Sequence, residues 1–215
     1  MQCLIITGGS IEYNFAIKYI EERMWDYIIC ADAGMKFCHK AGIIPDLILG
    51  DFDSVDQESY ECFNAICPER MERFPSHKDE TDTELALLRA IEAGADAVTM
   101  IGATGTRLDH VMGNIQILKK ALDRGITTYL VDSHNRIRMT DTAVTISKEE
   151  QFGTYVSLIP FTEKVTGLTL CGFSYPVQDY TLMQGRSVGV SNEITGQQGE
   201  ISLKEGLLLV MESRD

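Results

Sequence analysis

The sequence predicts an α/β protein, with a mostly parallel α/β sandwich over residues 1–133 and an antiparallel β-sandwich or barrel over residues 134–215. In the first part, short apolar runs alternate with segments of helical apolar spacing, as in sheets whose strands are joined by helices. After about Ser133 the segments become short, partly alternating and separated by turn residues, which is typical of antiparallel sheets. With 215 residues, 44% of them hydrophobic, the chain is long enough for two modest domains with real cores.

Five apolar runs in the first part are predicted as buried parallel strands, with a weaker strand at 72–74. The runs cover residues 3–7, 27–31, 47–49, 97–101 and 127–131. Four segments between them have helical periodicity. These segments cover residues 15–23, 35–40, 83–93 and 110–124. Right-handed crossovers would then cover both faces of the sheet with helices.

Seven short segments in the second part are predicted as strands. They cover residues 136–140, 144–147, 155–160, 165–170, 187–191, 199–203 and 207–212. None of the segments in this part has helical spacing. The shift in composition predicts the domain boundary near residue 133.

Charge and cysteine content limit the function classes. The chain has 32 acidic and 19 basic residues and a net charge of −13, which argues against binding nucleic acid but permits a nucleotide screened by a metal ion. The N-terminus lacks a basic start, and its apolar run is too short for a signal peptide or a membrane span. The six cysteines contain no C-x-x-C pair, which predicts reduced thiols in a cytoplasmic protein with no membrane association.

Polar motifs follow the predicted strands. Gly8 and Gly9, Asp32, the pair Asp51 and Asp53, and the segment 102–110 each come after a strand end. Ligands of open α/β sheets bind outside the carboxyl ends of the strands, so these loops are expected to converge on one edge. Asp79 and Asp82 open the helix after the weaker strand, which places them on the same side.

Asp51 and Asp53 form the first carboxylate pair. If the backbone there is extended, the two side chains leave on the same side, about 7 Å apart along the chain, and repel one another unless a cation lies between them. The alternative is an ordinary turn motif, although a turn needs only one side-chain acceptor. Gly50 would also allow a ligand to approach the backbone closely.

Asp79 and Asp82 form the second pair. Their spacing of three places both near one helical face, although they could instead be charges answering the helix dipole, with Thr81 or Asp82 as the cap. Together with the first pair, a shared magnesium site is the better explanation, since magnesium binds a few carboxylates, water and phosphate oxygens.

The segment 102–110 joins a strand to a helix through small residues, which suits phosphate binding by backbone N–H groups and by the fork of Arg107. As alternatives, Asp109 is only the helix cap and His110 only a surface residue. The P-loop, G-x-G-x-x-G and G-x-S-x-G signatures are absent, and the four histidines lack zinc-ligand spacing.

The ordered set of motifs resembles the thiamine pyrophosphokinase family over nearly the whole chain. The motifs are Ala31-Asp32-Ala33-Gly34, Gly42-Ile43-Ile44-Pro45-Asp46, Gly50-Asp51-Phe52-Asp53-Ser54, Lys78-Asp79-Glu80-Thr81-Asp82-Thr83-Glu84, the segment 102–110 with Gly113-Asn114, Val165-Thr166-Gly167-Leu168, Tyr175-Pro176 and Gly189-Val190-Ser191-Asn192-Glu193.

The resemblance implies transfer of a pyrophosphoryl group from ATP to thiamine, giving thiamine diphosphate and AMP. It implies an α/β catalytic domain, a β-rich thiamine-binding domain, and a homodimer with thiamine near the subunit interface. The implied magnesium ligands are Asp51, Asp53, Asp79 and Asp82. The implied nucleotide-binding residues are Gly8, Gly9, Asp32, Lys78, Arg107, Asp109 and His110. Ser191 and Asn192 would help to hold thiamine.

Two departures from the family pattern concern phosphate binding. The pattern usually has two glycines where this chain has Ala33-Gly34, and again where it has Gly105-Thr106. Ala33 fits if its φ is negative, whereas Thr106 would not easily take a positive φ. Asp79 and Asp109 are both candidates for the group that accepts the hydroxyl proton. The competing functions are a pyrophosphokinase for another alcohol such as a hydroxymethylpterin, a thiamine or nucleotide sensor, and a metal phosphohydrolase.

Overall fold

The computed structural model describes residues 1–75 and 79–215, which divide into two compact units, Met1–Ser133 and His134–Asp215. The first unit is an α/β structure and the second is built from antiparallel strands, so the predicted fold class is confirmed. None of the described helices is long and apolar enough to cross a membrane.

The first unit contains a sheet whose described strand pairs are all parallel. Its strands are β1 (Gln2–Ile6), β2 (Tyr27–Ala31), β3 (Leu47–Gly50), β4 (Met71–Arg73), β5 (Ala97–Ile101) and β6 (Thr127–Val131). They lie in the order β4-β3-β2-β1-β5-β6, so that β1 is central. Every strand predicted for this part is present within one or two residues.

Helices connect these strands. They are α1 (Tyr13–Glu21), α2 (Gly34–Ala41), α3 (Gln57–Ile66), α4 (Asp82–Glu92) and α5 (Leu108–Leu122), with a 3-10 turn at Pro68–Arg70. The sequence did not predict α3, of whose ten residues only Ser59 and Phe63 are buried. Its start is nevertheless encoded locally, since the Asp56 carboxylate accepts a hydrogen bond from the Ser59 N–H as an N-cap.

Helices cover the sheet on both faces. Four consecutive residues of β1, from Cys3 to Ile6, are each 0% exposed although their side chains alternate between the two faces. Helix α2 packs on β1 and β2, and α4 packs on β1, β2 and β3. A parallel sheet covered in this way leaves its carboxyl edge as the open position for polar loops.

The second unit consists of antiparallel strands. They are β7 (Asn135–Thr140), β8 (Val144–Ser147), β9 (Tyr155–Pro160), β10 (Lys164–Cys171), β11 (Val177–Met183), β12 (Gln198–Ser202) and β13 (Leu208–Ser213). Strand β13 pairs with β7 and β9, while the other four form a sheet in the order β11-β10-β12-β8. Buried aliphatic side chains such as Val156, Leu168 and Ile201 form its core.

Two expectations about this unit were wrong. The predicted strand at 187–191 is a turn, because Gly189 has φ +104° and Ser191 has φ +57°, which an extended strand does not contain. Strand β11 was not predicted, since only Leu182 of its seven residues is buried and the apolar alternation is therefore lost.

Candidate functional site

The predicted polar motifs lie at the carboxyl ends of four adjacent strands. The strands β3, β2, β1 and β5 are neighbours in the sheet and run parallel. The segments that leave them begin with Asp51, Asp32, Thr7 and Gly102. The structure therefore brings these loops to one edge of the sheet. The chain winds in opposite directions on the two sides of the gap between β1 and β5, and ligands are expected to bind at such a gap.

The loops after β1 and β5 are joined by their backbones. The Gly9 N–H donates to the Gly102 carbonyl and the Ser10 N–H donates to the Thr104 carbonyl, each at 2.8 Å. A Cβ at Gly9 would lie 2.2 Å from the Gly102 oxygen and 2.3 Å from the Thr104 oxygen. Only glycine permits this approach.

The two departures from the family pattern are accommodated. Ala33 has φ −61°, the negative value that alanine needs, and a Cβ at Gly8 would lie only 2.7 Å from the Ala33 Cβ. Thr106 is not among the residues with positive φ, so its side chain causes no backbone strain.

Asp32, Asp51 and Asp82 form an acidic group, since the charges of Asp51 and Asp82 both act on Asp32. The backbone of Asp32 has the uncommon φ of +45°, and a Cβ at Gly50 would lie 3.1 Å from the Asp32 Cβ, so glycine makes room for it. The Ser54 hydroxyl donates to Asp32 Oδ2 at 2.5 Å, while Oδ1 is buried and has no hydrogen-bond partner within residues 1–75 and 79–215. Burial raises the pKa of Asp32, the Ser54 hydrogen bond lowers it, and the charges of Asp82 and Asp51 raise it.

The segment from Asp51 to Asp53 is not extended, so that expectation was wrong. Phe52 has φ +64° although its side chain is large, and it is buried at 8% exposure. The Asp53 N–H donates to Asp51 Oδ1 at 2.9 Å, as in an Asx turn, and Arg73 lies 4.0 Å from Asp53. A strained φ at a bulky residue beside two carboxylates is typical of a functional loop.

Asp79 and Asp82 do not share a helical face, because α4 begins at Asp82 and Asp79 lies before it. Thr81 is the N-cap, with its side chain accepting a hydrogen bond from the Glu84 N–H at 3.2 Å. Asp82 is therefore the first residue of α4, and its charge acts on Asp32.

In the described part of the chain, the acidic group by itself supplies too few closely placed ligands for a hard cation such as magnesium. No three metal-binding side chains converge closely enough to hold a metal ion within residues 1–75 and 79–215. Magnesium nevertheless needs only one or two carboxylates when water and phosphate oxygens complete its shell. The buried, unpartnered Asp32 Oδ1 and the neighbouring carboxylates are oxygen donors of the right kind, so the residues fit magnesium arriving with a phosphate.

Arg107 and Asp109 form a bidentate pair in front of α5. Arg107 Nε and Nη2 donate to the Asp109 carboxylate at 3.3 and 2.7 Å, and both side chains are exposed. The Arg107 guanidinium and, to a smaller extent, the His110 N–H lower the pKa of Asp109 to about 2. Asp109 is not the N-cap, which is Arg107, and its Oδ1 accepts a hydrogen bond from the N–H of the exposed residue His110.

The remaining predicted site residues are less informative. Lys78 lies outside the described residues. Asn192 is 4% exposed, and its side-chain oxygen and nitrogen bond the Tyr175 backbone at 3.0 and 2.9 Å. Ser191 is exposed and its N–H donates to Ser157 Oγ at 3.0 Å. Contact of these two residues with thiamine stays a prediction, and the Asn192 side chain holds the loop that carries the exposed ring of Tyr175.

Sequence reasoning gave no role to three polar side chains beside the site. The first is Ser54, which bonds Asp32. The second is Asn114, which is buried in α5 and donates to the Ala103 carbonyl at 2.7 Å, holding the loop after β5. The third is Thr83, which bonds Thr7. All three stand within the quoted motifs, but their partners are distant in the sequence.

Comparison with known proteins agrees with this geometry. A family model described as thiamin pyrophosphokinase, catalytic domain, matches residues 21–130, and one described as thiamin pyrophosphokinase, vitamin B1 binding domain, matches residues 141–208. The thiamine pyrophosphokinase of Bacillus subtilis (strain 168) is 34% identical over 195 residues, which are 91% of this chain and 89% of that protein.

Solved structures give the same result. Crystal structures of thiamine pyrophosphokinase from Bacillus subtilis and of thiamin pyrophosphokinase from Geobacillus thermodenitrificans match with TM-scores of 0.90 and 0.87. Their identities are 33% and 32%, and the matches cover 100% of this chain and 100% and 98% of theirs. The chain therefore belongs to the thiamine pyrophosphokinase family, as its motifs predicted.

Proposed function

We propose that this chain is a magnesium-dependent thiamine pyrophosphokinase, which transfers the pyrophosphoryl group of ATP to the hydroxyethyl oxygen of thiamine and releases AMP. The observation that carries the proposal is the group of interacting carboxylates at Asp32, Asp51 and Asp82, in a chain whose two units both match this family. Membership alone would also fit a sensor, but a sensor would be expected to lose some of these carboxylates, and Asp51, Asp53, Asp79 and Asp82 are all present.

The loops after β1 and β5 are suited to hold the phosphates of ATP. Close backbone approach at Gly8 and Gly9 leaves no side chain in the way, and the N-terminus of α5 favours negative charge. Arg107 supplies a planar donor fork for phosphate oxygens. These groups would orient the chain of phosphates toward the carboxylates.

One or two of the carboxylates of Asp51, Asp53, Asp79 and Asp82 would hold magnesium, with water and phosphate oxygens completing its shell, which allows Asp79 a separate role. When bound, magnesium supplies neutralisation of the charge that builds up on the polyphosphate during transfer. The protein residues contribute orientation and restraint: Ser54 holds Asp32, and the Asx turn fixes Asp53 against Asp51.

The Arg107 pair affects which aspartate accepts the proton of the thiamine hydroxyl. A carboxyl with a pKa of about 2 is a weak base, so Asp109 is a poor acceptor while Arg107 contacts it. Asp79 is exposed, lies just before α4, and has no such arginine contact among those described. We favour Asp79 as the acceptor, with Asp109 available only when Arg107 moves to a phosphate.

The second unit is proposed to bind thiamine through Ser191 and Asn192 and to form the homodimer. Its support is the family-model match over residues 141–208 and the exposed apolar side chains of Tyr175, Val188 and Val190. A cytoplasmic location is also proposed, because the six cysteines are free thiols in the structure.

The first test is AMP formation from magnesium-ATP with and without thiamine, with the thiamine product identified by mass. Thiamine-dependent AMP together with thiamine diphosphate would establish the reaction. AMP without thiamine would indicate a hydrolase or another acceptor, for which a panel including a hydroxymethylpterin is the next measurement. No AMP with retained thiamine binding would indicate a sensor and would refute the proposal.

The carboxylate assignment is tested by Asp51→Asn and Asp53→Asn. Each should lower turnover by at least about 10²–10³-fold, the usual loss for one charge-stabilising contact. Asp123→Asn is the control. The Asp123 carboxylate lies at the end of α5 and bonds only Lys119 among the contacts described, so the change should leave turnover unchanged. Near-wild-type turnover in either site variant would remove that aspartate from the metal centre.

A further inference from the structure

Two buried hydroxyl groups connect the central strand to the helix that carries Asp82. Thr7 Oγ1 lies 2.9 Å from Thr83 Oγ1, and the two residues are 6% and 8% exposed. They are 76 residues apart in the chain. Neither residue takes part in the proposed reaction itself. The buried polar contact therefore calls for a structural reason, which is the attachment of the first turn of α4 to the end of β1.

Thr7 is a fixed point. It follows β1 directly, and its N–H donates to the Ile101 carbonyl at 2.9 Å. A Cβ on Gly102 would lie 2.2 Å from the carbonyl oxygen of Thr7, and a Cβ on Gly34 would lie 3.2 Å from the Thr7 Cα. Backbone contacts on both sides leave Thr7 little freedom to move, since a closely packed interior does not deform easily.

Thr83 is placed where a restraint is useful. It is the second residue of α4, directly after Asp82, in the turn whose first N–H groups have no partner within the helix. The Thr81 cap satisfies the Glu84 N–H, but a cap fixes the start of a helix only relative to itself. The Thr83 hydroxyl is the described polar contact that ties this turn to the sheet.

We propose that Thr7 and Thr83 are positioning residues, which hold the first turn of α4, and with it Asp82, at the carboxyl edge of the sheet. The expected effect on catalysis rests on the proposed function. The expected effect on the position of α4 does not, because it concerns the protein without substrate. A pair of valines would fill the same space, so apolar packing alone does not explain the two hydroxyls.

The test uses Thr7→Val, Thr83→Val, the double variant and Thr83→Ser. Each single valine variant leaves one buried hydroxyl without its partner and should lower both stability and activity. The double variant removes both hydroxyls, so its melting temperature should return toward the wild-type value. Its kcat should nevertheless stay about 10–100-fold low, with a raised magnesium requirement, as for other residues that orient metal ligands.

The controls separate positioning from general packing. Thr83→Ser keeps the hydroxyl and should restore kcat. Thr128→Val makes the same substitution in β6, where the Thr128 hydroxyl is buried and has no hydrogen-bond partner in the part of the chain that is described. It should leave kcat and the magnesium requirement unchanged. A double variant with wild-type kcat and magnesium requirement would overturn the proposal.

Amide hydrogen exchange in the absence of substrate gives a second readout. Thr83→Val and the double variant should exchange the hydrogen-bonded amides of Glu84 and Leu85, at the start of α4, at least several-fold faster, with the amides of α5 unchanged. Unchanged exchange in α4 would refute the positional part. If the wild-type chain makes no thiamine diphosphate but exchange in α4 responds as expected, the proposed function fails while the positional inference stands.

Discussion

Gly9→Ala should loosen the join between the loops after β1 and β5. The new Cβ would lie 2.2 Å from the Gly102 oxygen, against the 3.0 Å below which Cβ contacts essentially do not occur. The loops must therefore separate by about 0.8 Å, which takes the Gly9 hydrogen bond of 2.8 Å beyond hydrogen-bonding distance. The Ser10 hydrogen bond to Thr104, also 2.8 Å, is strained by the same movement, because the Cβ would lie 2.3 Å from the Thr104 oxygen.

The expected loss follows from these two contacts. Each backbone hydrogen bond contributes about 1 kcal/mol net, and overpacking adds about 1–2 kcal/mol, so the free energy of unfolding should fall by about 2–4 kcal/mol. Urea unfolding followed by the fluorescence of Trp25, the single tryptophan of the chain, measures this for the first unit. The KM for magnesium-ATP should also rise, since the same loops are proposed to hold its phosphates.

The matched control is Gly113→Ala. Gly113 lies in α5 with nothing within 4 Å of an added Cβ, so alanine should raise the free energy of unfolding by about 0.5–1 kcal/mol through helix propensity. A Gly9→Ala protein with the same unfolding midpoint as the wild type would show that the close approach of the two loops is not a real constraint on this fold.

The remaining predictions concern thiols and a buried ion pair. Burial raises the pKa of Cys3 to about 12, so a disulfide reagent at pH 8 should modify the exposed Cys171 first and Cys3 only after unfolding. The variant Cys171→Ser should lose the fast phase of the labelling reaction. Labelling of Cys3 in the fast phase would contradict the burial argument. Because unfolded Cys3 loses its proton near pH 9 while the folded thiol keeps it, stability should fall as pH rises from about 9 toward 12, and Cys3→Ala should show a smaller fall in urea unfolding. Glu212, 4% exposed, accepts two hydrogen bonds of 2.8 Å from Arg136, so Glu212→Gln should lower the free energy of unfolding by about 2–4 kcal/mol; a loss below about 0.5 kcal/mol would contradict this.

The sequence located the site because its signals are local. An apolar run that ends in Gly50-Asp51 identifies a strand and its carboxyl end together, and parallel strands bring such ends to one edge. The same reasoning went wrong where a single backbone angle mattered. The φ of +64° at Phe52 turned the extended pair Asp51 and Asp53 into an Asx turn, and no local preference of phenylalanine predicts that angle.

The starts of helices were also predicted only in part from local sequence. The sequence offered Thr81 and Asp82 as caps of α4, and the structure shows that the cap is Thr81. Because the helix then begins at Asp82, Asp79 lies outside it. Helix α3 was missed although the Asp56 cap marks its start locally, and only Ser59 and Phe63 of its ten residues are buried.

By itself, the sequence determined the two-part α/β and all-β architecture, the strands of the central sheet, the family and the list of candidate acidic residues. These follow from periodicity, turn chemistry and ordered motifs, which are properties of neighbouring residues. Only the tertiary structure decided which side chains act on one another. The Ser54 bond to Asp32, the Thr7 contact with Thr83 and the Arg107 pair with Asp109 depend on angles and distances set by packing, and packing joins residues that the sequence keeps far apart.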